Sequence, residues 1–427
     1  MKNYRRRIMD TLLEKKLQAK GAVLIEGPKW CGKTTTAEEI ATSKIMLAKP
    51  DIKEHFKSLL EIDTDAALAG ETPMLIDEWQ TVPKLWDAVR YTVDHRHAMG
   101  QFILTGSAVP DKDAEKEREH SGTGRFAWLT MRPMTLFESG ESNGTVSLGE
   151  LFQAPEKILQ KNALKLSDIA FLICRGGWPI AVGLPEEAAL EQAFDYYDAV
   201  TKEDVTNVDG VKRASERVQR LMRAYARHQG TQASIATLKG DLKNNDTTTL
   251  DEDTISSYLD ALRKIFVVED MPAWNPNLRS KTAIRTTDTR YFVDPSIATA
   301  ALGLGPTDLM NDLNSMGFFF EVMCVRDLRV FAEALNGKVY HYRDKSGLEC
   351  DAVVHLRNGQ YGLIEIKLGG DSLIKEGAET LNELANQIDT TRMKSPAFKM
   401  ILTATGEYAY RRPEDGIYVV PIGCLRP

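Results

Sequence analysis

The sequence predicts a multidomain α/β protein, and three observations carry the prediction. The chain has 427 residues, more than one hydrophobic core organises, and its 43% hydrophobic and 27% charged residues are globular values. Apolar runs at Ala22–Ile25, Met74–Ile76 and Phe102–Leu104 alternate with helix-like stretches, the order of a doubly wound parallel sheet. A second set of strand-like runs (Val339–Arg343, Glu349–Val354 and Tyr361–Lys367) follows a long, helix-rich middle.

Composition removes several classes. Net charge is −7, so bulk charge does not argue for nucleic acid, and any such contact has to come from a local basic face. The five cysteines (Cys31, Cys174, Cys324, Cys350, Cys424) are scattered and show no C-x-x-C pair. That argues against a disulfide framework or a zinc site and fits a reducing compartment. No apolar run approaches the roughly 18–20 residues of a membrane span, and the arginine-rich start lacks the apolar core of a signal peptide. A cytoplasmic protein with no membrane partner is expected.

Residues 5–20 read as a basic amphipathic helix leading into the first strand. That strand runs into Gly27-Pro28-Lys29-Trp30-Cys31-Gly32-Lys33-Thr34, with a helix-like run from Thr35 to Thr42 behind it. This is G-x-x-x-x-G-K-T in its strand–loop–helix setting, the P-loop pattern for nucleoside triphosphate phosphates. Its glycines let backbone N–H groups turn inward around phosphates, and the helix start adds a positive dipole end. Residues Gly27 through Thr35 are the nucleotide-binding candidates. Lys33 is placed to reach the β/γ-phosphates and Thr34 to ligate Mg²⁺.

The next decisive stretch is Pro73-Met74-Leu75-Ile76-Asp77-Glu78-Trp79-Gln80, an apolar strand ending in adjacent acids as in the Walker B pattern. Asp77 is the candidate to hold Mg²⁺ through water, and Glu78 to polarise the attacking water of an in-line phosphoryl transfer. The strand Gln101–Ser107 ends in small polar residues, as a sensor strand does between the two Walker strands. Thr105 and Ser107 are both candidates, with Thr105 preferred. A mixed-charge segment at 111–120 reads as solvated surface. Ser121–Gly124 then presents Arg125 on a glycine-rich loop before the strand Phe126–Thr130. Arg125 suits an arginine finger acting across a subunit interface, and the alternative is a surface arginine paired with a carboxylate.

The set GPKWCGKT, MLIDEWQ, FILTGS, GTGRFAWLTMRPMTLFE and RGGWP resembles a family of prokaryotic AAA+ (archaeal-type) ATPases fused to a C-terminal domain of unknown function with a PD-(D/E)xK nuclease-like fold. The resemblance runs along most of the chain. It implies an AAA+ core over 1–150, a helical lid over 151–205, a winged-helix-like domain over 206–310 and a nuclease-like domain over 311–427. It also implies the roles just given to Lys33, Thr34, Asp77, Glu78 and Arg125, and an ATP site shared in a homo-oligomer.

The middle reads as follows. Residues 150–204 look helical, broken at Arg175-Gly176-Gly177-Trp178-Pro179, where Arg175 is either a second nucleotide sensor or a turn residue. Lys212, Arg213, Arg217, Arg220, Arg223 and Arg227 meet a single acid, Glu216, over 211–228, with most arginines on one side of a helix. A solvated or paired face competes with a phosphate-contacting stripe. Helices at Ser234–Leu242 and Thr254–Ile265, then extended segments at Phe266–Ala273 and Arg290–Asp294, fit a winged helix-turn-helix, with Lys281, Arg285 and Arg290 near its wing.

In the C-terminal part, Glu321 lies on an apolar helix, Asp351 near a strand start, and Glu365-x-Lys367 on the next strand. Strand residues two apart share a face, so Glu365 and Lys367 point the same way. Acid and lysine on an apolar face are unfavourable unless paired or metal-bound. Glu321, Asp351 and Glu365 are the candidate Mg²⁺ or Mn²⁺ ligands, and Lys367 the candidate to activate water against a phosphodiester. Glu349 is a further acid by the same alternation, and the competing reading is a buried Glu–Lys pair that specifies packing.

Two functions follow as expectations. One is Mg²⁺-dependent ATP hydrolysis coupled to binding or processing of DNA or RNA by the C-terminal domain. The other is an ATP-dependent oligomeric switch or scaffold whose C-terminal domain is catalytically inert.

Overall fold

The computed structural model describes residues 4–107, 122–207, 211, 213–245, 250–279 and 283–427. The charged segment 111–120, Lys212 and Lys281 lie outside the described residues. The chain divides into two compact units that interleave in sequence. The first comprises Met1–Pro133, Ala199–Ser215 and Ser257–Val267, and the second Met134–Asp198, Glu216–Ser256 and Val268–Pro427.

The first unit is built on β1 (Ala22–Glu26), β2 (Ser43–Met46), β3 (Met74–Asp77), β4 (Phe102–Gly106) and β5 (Phe126–Thr130), in spatial order β2-β3-β4-β1-β5. Every pairing is parallel. β4 lies between the two Walker strands, where the sensor strand is expected. Strands buried on both faces read as near-continuous apolar runs, which is why β1, β3 and β4 stand out in the sequence, and β5 is also read there. β2 escapes because its Ser-Lys-Ile-Met lies on the sheet edge and is only partly buried.

Strand alternation sends side chains to two cores. Leu24, Ile76, Phe102 and Leu104 join Phe56 and Leu60 of the helix Pro50–Ile62 and Trp86, Val89 and Val93 of the helix Leu85–Arg96. Trp86 stacks on Phe126 with ring centroids 4.0 Å apart. Val23, Ile25, Leu75 and Ile103 face Leu13 and Leu17 of the helix Ile8–Ala19. The helix behind the P-loop covers Lys33–Glu38, shorter than the expected run to Thr42.

In the second unit the strands are β6 (Val146–Ser147), β7 (Leu159–Lys161), β8 (Gly337–Arg343), β9 (Glu349–Leu356), β10 (Tyr361–Lys367), β11 (Phe398–Thr403), β12 (Tyr408–Arg411), β13 (Tyr418–Pro421) and β14 (Leu425–Arg426). Seven form a mixed sheet in the order β7-β12-β13-β11-β10-β9-β8. The helix Asp371–Gln387 covers one face through Ala378, Leu381 and Leu384 against Val353, Leu363 and Ile401. The region 150–204 is not all helix: it contributes β7 to this sheet, while the helices Leu166–Arg175 and Glu186–Ala199 follow. A three-residue strand that pairs with residues near 410 has no periodicity to show in a single sequence.

The Arg-Gly-Gly-Trp-Pro motif is the centre of a buried polar knot in the second unit. Gly177 N–H donates to Asp294 (2.9 Å) and Trp178 Nε1 to Ser296 Oγ (3.0 Å). Asp294 pairs with Arg326 (2.9 Å), Arg326 with Asp327 (2.8 Å), and Asp327 accepts from Leu136 N–H (2.9 Å). Burial raises the Asp327 carboxyl to about 6, even though Arg326 pulls the other way. A Cβ on Gly177 would stand 2.2 Å from the Met134 carbonyl, so no other residue fits there. Arg175 is buried, with its guanidinium on Glu141 and on the Gly176 carbonyl.

The arginine stripe is broken by internal partners. On the helix Ser215–Arg227, Arg227 forks onto Asp241, which His228 also approaches at 3.2 Å. Within the first unit, Arg213 is buried against the Val205 carbonyl (3.0 Å) and the Tyr258 ring. Helices follow at Ile235–Asn245 and Glu252–Lys264, and then antiparallel bridges join Val268 to Phe292 and Met271 to Thr289. Arg290 is bonded to Asp270 (2.8 Å) and to the Ala233 carbonyl (3.0 Å).

Candidate nucleotide site and a second carboxylate cluster

The loop between β1 and Lys33 has a backbone that ordinary side chains disfavour. Gly27 has φ +152°, and a Cβ there would meet the Met131 carbonyl oxygen at 2.1 Å. Gly32 has φ +99°. Trp30, at φ +64° and half exposed, holds a left-handed conformation that costs a non-glycine residue about 1–2 kcal/mol. Strain of this kind gathers where a loop must wrap a ligand.

Lys33 is buried, and its ammonium folds onto the Gly27 (2.9 Å) and Pro28 (2.7 Å) carbonyls. Thr34 Oγ1 donates to Asp77 Oδ1 at 2.7 Å. Thr105 Oγ1 donates to the same oxygen at 2.6 Å. Three separate elements therefore converge on one carboxylate oxygen at the C-terminal edge of the parallel sheet. Glu78 sits just past β3 at φ +55°, its carboxylate accepting from Gln80 Nε2 and from Ser107 Oγ (3.2 Å). Both sensor candidates are thus engaged, Thr105 with Asp77 and Ser107 with Glu78. Cys31 is fully buried, and Lys29 pairs with Asp204 at 2.6 Å. Thr35 lies in the first turn of the helix Lys33–Glu38. The Thr34 hydroxyl and the Asp77 carboxylate are hard oxygen donors already in contact, a set that fits Mg²⁺.

Arg125 does not stand with them. It precedes β5, whose other end, Thr130, is level with Glu26, so Arg125 lies at the opposite edge of the sheet, about 16 Å away along the strand. It pairs with Asp94 at 2.7 Å and reaches the Thr123 carbonyl at 3.2 Å. The hydrogen bond from Arg125 holds the exposed Asp94 carboxyl below its ordinary range. Within this chain Arg125 takes the surface-pair role.

Sequence reasoning missed Arg7 and Tyr4. Arg7 donates to the Cys31 and Arg132 carbonyls, each at 2.9 Å, and Tyr4 OH lies 2.9 Å from Thr36 Oγ1. Both precede the first recognisable motif, and an N-terminal Arg–Arg–Arg run carries no signal that one member is buried.

The second cluster lies in the other unit. A cleft of about 480 Å³ is lined by Glu321, Asp351 and Lys367, with Phe318, Leu313 and Leu373 among its apolar walls. Each acid has a local partner. Glu321 accepts from Tyr291 OH, Asp351 Oδ2 accepts from Ile366 N–H (2.7 Å), and Glu365 Oε2 pairs with Lys367 (3.0 Å). Glu365 Oε1 is buried with no hydrogen-bond partner. Burial, then the charge of Asp351, pushes the Glu321 carboxyl up to about 8 and Glu365 well above its usual range. Burial also raises Asp351, against the pull of Lys367. For Lys367, burial favours the neutral form, but Asp351 and Glu365 outweigh it and hold the ammonium charged.

Among the described residues, no group of three or more His, Cys, Asp or Glu is arranged to hold a metal ion. Glu321, Asp351 and Glu365, the expected Mg²⁺ or Mn²⁺ set, share one neighbourhood, with each acid turned to its local partner. Glu349 pairs with Arg343 at 2.8 Å and does not join them. The five cysteines are buried and unbridged, and among the described residues no helix is long and apolar enough to cross a membrane.

Comparison with known proteins agrees with the first site. Residues 19–139 match an AAA domain family. Residues 166–308 and 316–425 match two domains of unknown function, DUF8612 and DUF4143. The chain is 24% identical over 364 residues to the uncharacterized proteins Rv2008c of Mycobacterium tuberculosis and Mb2031c of Mycobacterium bovis, covering 85% of this chain and 74% of each relative. Among solved structures it resembles the Walker-type ATPase PABY2304 of Pyrococcus abyssi (14% identity, TM-score 0.42, 70% of this chain and 96% of that one). It also resembles the ORC2 protein of Aeropyrum pernix in its ADPNP–ADP complexes (11% identity, TM-score 0.29, 64% and 90%). These structural likenesses are distant. The AAA-domain match supports ATP binding and hydrolysis by the first unit.

Proposed function

We propose that this chain binds MgATP at Gly27–Thr35 and hydrolyses it, as an ATPase whose cycle is coupled to nucleic-acid binding or processing by the C-terminal domain. The observation that carries the ATPase reading is the convergence of Thr34 and Thr105 on Asp77, with Glu78 one residue beyond. Lys33 leaves the two loop carbonyls to meet the β/γ-phosphates. Thr34 and Asp77 would hold Mg²⁺, which would supply charge neutralisation to the transferring phosphoryl group. Glu78, oriented by Gln80 and Ser107, accepts the proton of the attacking water, and Thr105 reports the state of the phosphate end to Asp77.

The order of three helices and two antiparallel bridges over 215–292 supports the winged-helix reading. With Arg213, Arg227 and Arg290 in internal bonds, nucleic-acid contact there falls to exposed cations such as Arg217. Residues 151–205 would act as a lid, and the molecule would work as a cytoplasmic homo-oligomer. If Arg125 serves as a finger, it does so on a neighbouring copy after releasing Asp94.

A second reading, an ATP-dependent switch with an inert C-terminal domain, is favoured by the way Tyr291, Ile366 N–H and Lys367 already occupy the three carboxylates. Phosphate release and oligonucleotide cleavage, measured on the full chain with Lys33→Ala and Asp351→Ala, test both. Loss of phosphate release in Lys33→Ala is expected. Mn²⁺-dependent cleavage that Asp351→Ala abolishes would select the first reading, and no cleavage by the intact chain would select the second.

A further inference from the structure

We propose that Arg7 is a positioning residue for the nucleotide phosphates, so that the segment before the first helix belongs to the ATP site. The proposal rests on the reading of Gly27–Thr35 as that site. A phosphate-binding loop turns its N–H groups toward the ligand, which leaves carbonyls on its outer side, and a buried carbonyl needs a donor. Arg7 supplies one. Its Nη1 donates to the Cys31 carbonyl in the middle of the loop and its Nη2 to the Arg132 carbonyl just beyond β5, each at 2.9 Å.

One planar fork therefore ties the loop to the stretch 131–132. The same two stretches meet again without Arg7: Cys31 Sγ lies 3.6 Å from the Met131 carbonyl. Met131 N–H donates to the Glu26 carbonyl at 2.7 Å, and Gly27 rests against the Met131 carbonyl so closely that only hydrogen fits between. The loop is held on its outer side before any ligand arrives, and the Arg7 fork reaches both stretches from a third segment of the chain.

Arg7 is itself fixed. It is 5% exposed, and its main-chain N–H donates to Asp10 Oδ2 at 2.8 Å. Asp10 Oδ1 accepts from Tyr4 OH at 2.6 Å, and that hydroxyl lies 2.9 Å from Thr36 Oγ1 on the helix leaving the loop. The middle of the phosphate loop and the helix leaving it are thus both braced from Tyr4–Asp10. A guanidinium is suited to this because its donors lie in a rigid plane, whereas a lysine offers a point charge that cannot serve two separated carbonyls in the same way. A loop left free to move by about 1 Å loses binding geometry, and such losses reach on the order of a hundredfold.

The test measures fluorescent-nucleotide affinity and steady-state hydrolysis on the full chain, well below the melting temperature of each variant. Wild type is compared with Arg7→Lys, Arg7→Met, Tyr4→Phe and Lys33→Ala. Expected are roughly tenfold or greater weakening for both Arg7 variants, a KM that rises more than kcat falls, and a smaller, several-fold weakening for Tyr4→Phe. A purely structural arginine would lower the melting temperature and leave affinity untouched. Binding that Lys33→Ala abolishes while the Arg7 variants bind like wild type overturns the proposal alone. No binding by wild type overturns the reading of the loop, and this proposal with it. If the Arg7 variants do not fold, wild-type affinity in Tyr4→Phe overturns it.

Discussion

Two regions of this chain gather a lysine and acidic residues from strands and neighbouring helices, and they differ in what those groups touch. At the P-loop, Asp77 is reached by hydroxyls from two other elements, Thr34 and Thr105, and Lys33 waits on neutral carbonyls. At the C-terminal cluster, Lys367 is already paired with Glu365, Glu321 with Tyr291, and Asp351 with a main-chain N–H. The first arrangement leaves its lysine and hard oxygens available to an incoming anion and its metal. The second gives each carboxylate one internal partner, leaves Glu365 Oε1 without one, and raises the proton affinity of the carboxyls. The same residue types thus meet different partners in the two places, and those partners set how freely each group can turn to a ligand.

The comparison breaks most visibly on substitution of Lys33. Lys33→Ala should lower ATPase kcat/KM by about 10²–10³, measured by phosphate release, because it removes a positioned charge from the developing transition state. Lys367→Ala, its counterpart, should leave ATPase unchanged. ATPase loss of similar size in both would erase the distinction drawn here.

A smaller effect is expected at Thr105. Thr105→Val keeps the shape but removes the donor to Asp77, and about a tenfold fall in kcat with little change in nucleotide affinity is expected, since one of two hydroxyls on that oxygen remains. Equal losses in Ser107→Ala and Thr105→Val would instead place Glu78 and Asp77 on the same footing.

The C-terminal carboxyls give a pH signature. Glu321 has its folded carboxyl raised to about 8. A raised carboxyl binds its proton more tightly when folded, so its stabilisation is complete below the unfolded value of about 4.5 and is lost as pH rises toward 8. Denaturation midpoints should fall across that window in wild type, and Glu321→Gln should flatten the fall. A wild-type midpoint that rises with pH from 5 to 8, unaltered in Glu321→Gln, would contradict the buried, proton-retaining cluster.

The smallest effect concerns Arg125. As a surface partner of Asp94 it should contribute little to stability, and Arg125→Ala should melt like wild type. If specific ATPase activity also stays the same across the assembly range, the arginine has no role on a neighbouring site. A large loss restricted to concentrations at which the chain assembles would give it that role.

Legibility in the sequence followed locality. Asp77, Glu78 and Thr105 could be read because each ends an apolar strand, and a buried parallel strand announces itself as an unbroken apolar run. Lys33 and Thr34 could be read because a phosphate loop needs glycines at fixed spacing. Arg7, Tyr4 and Tyr291 could not, because their partners lie on other elements and a hydrogen bond leaves no periodicity. The Gly177–Trp178 turn was visible as a motif, but its purpose depended on Asp294 and Arg326, each over a hundred residues away. Glu321, Asp351, Glu365 and Lys367 were found as a neighbourhood and strand alternation offered the Glu365–Lys367 pair, yet spacing could not reveal that Tyr291 and Ile366 N–H already engage Glu321 and Asp351. The strands β2 and β7 were missed for a simpler reason: one is an exposed edge and the other is three residues long.

The most direct measurement is on Glu78. With MgATP and the full chain, Glu78→Gln should bind nucleotide about as tightly as wild type while releasing phosphate roughly 10²–10³ times more slowly, because only the proton acceptor for the attacking water is lost. Phosphate release at the wild-type rate by Glu78→Gln would contradict the assignment of this site as an ATP-hydrolysing centre built on Asp77 and Glu78.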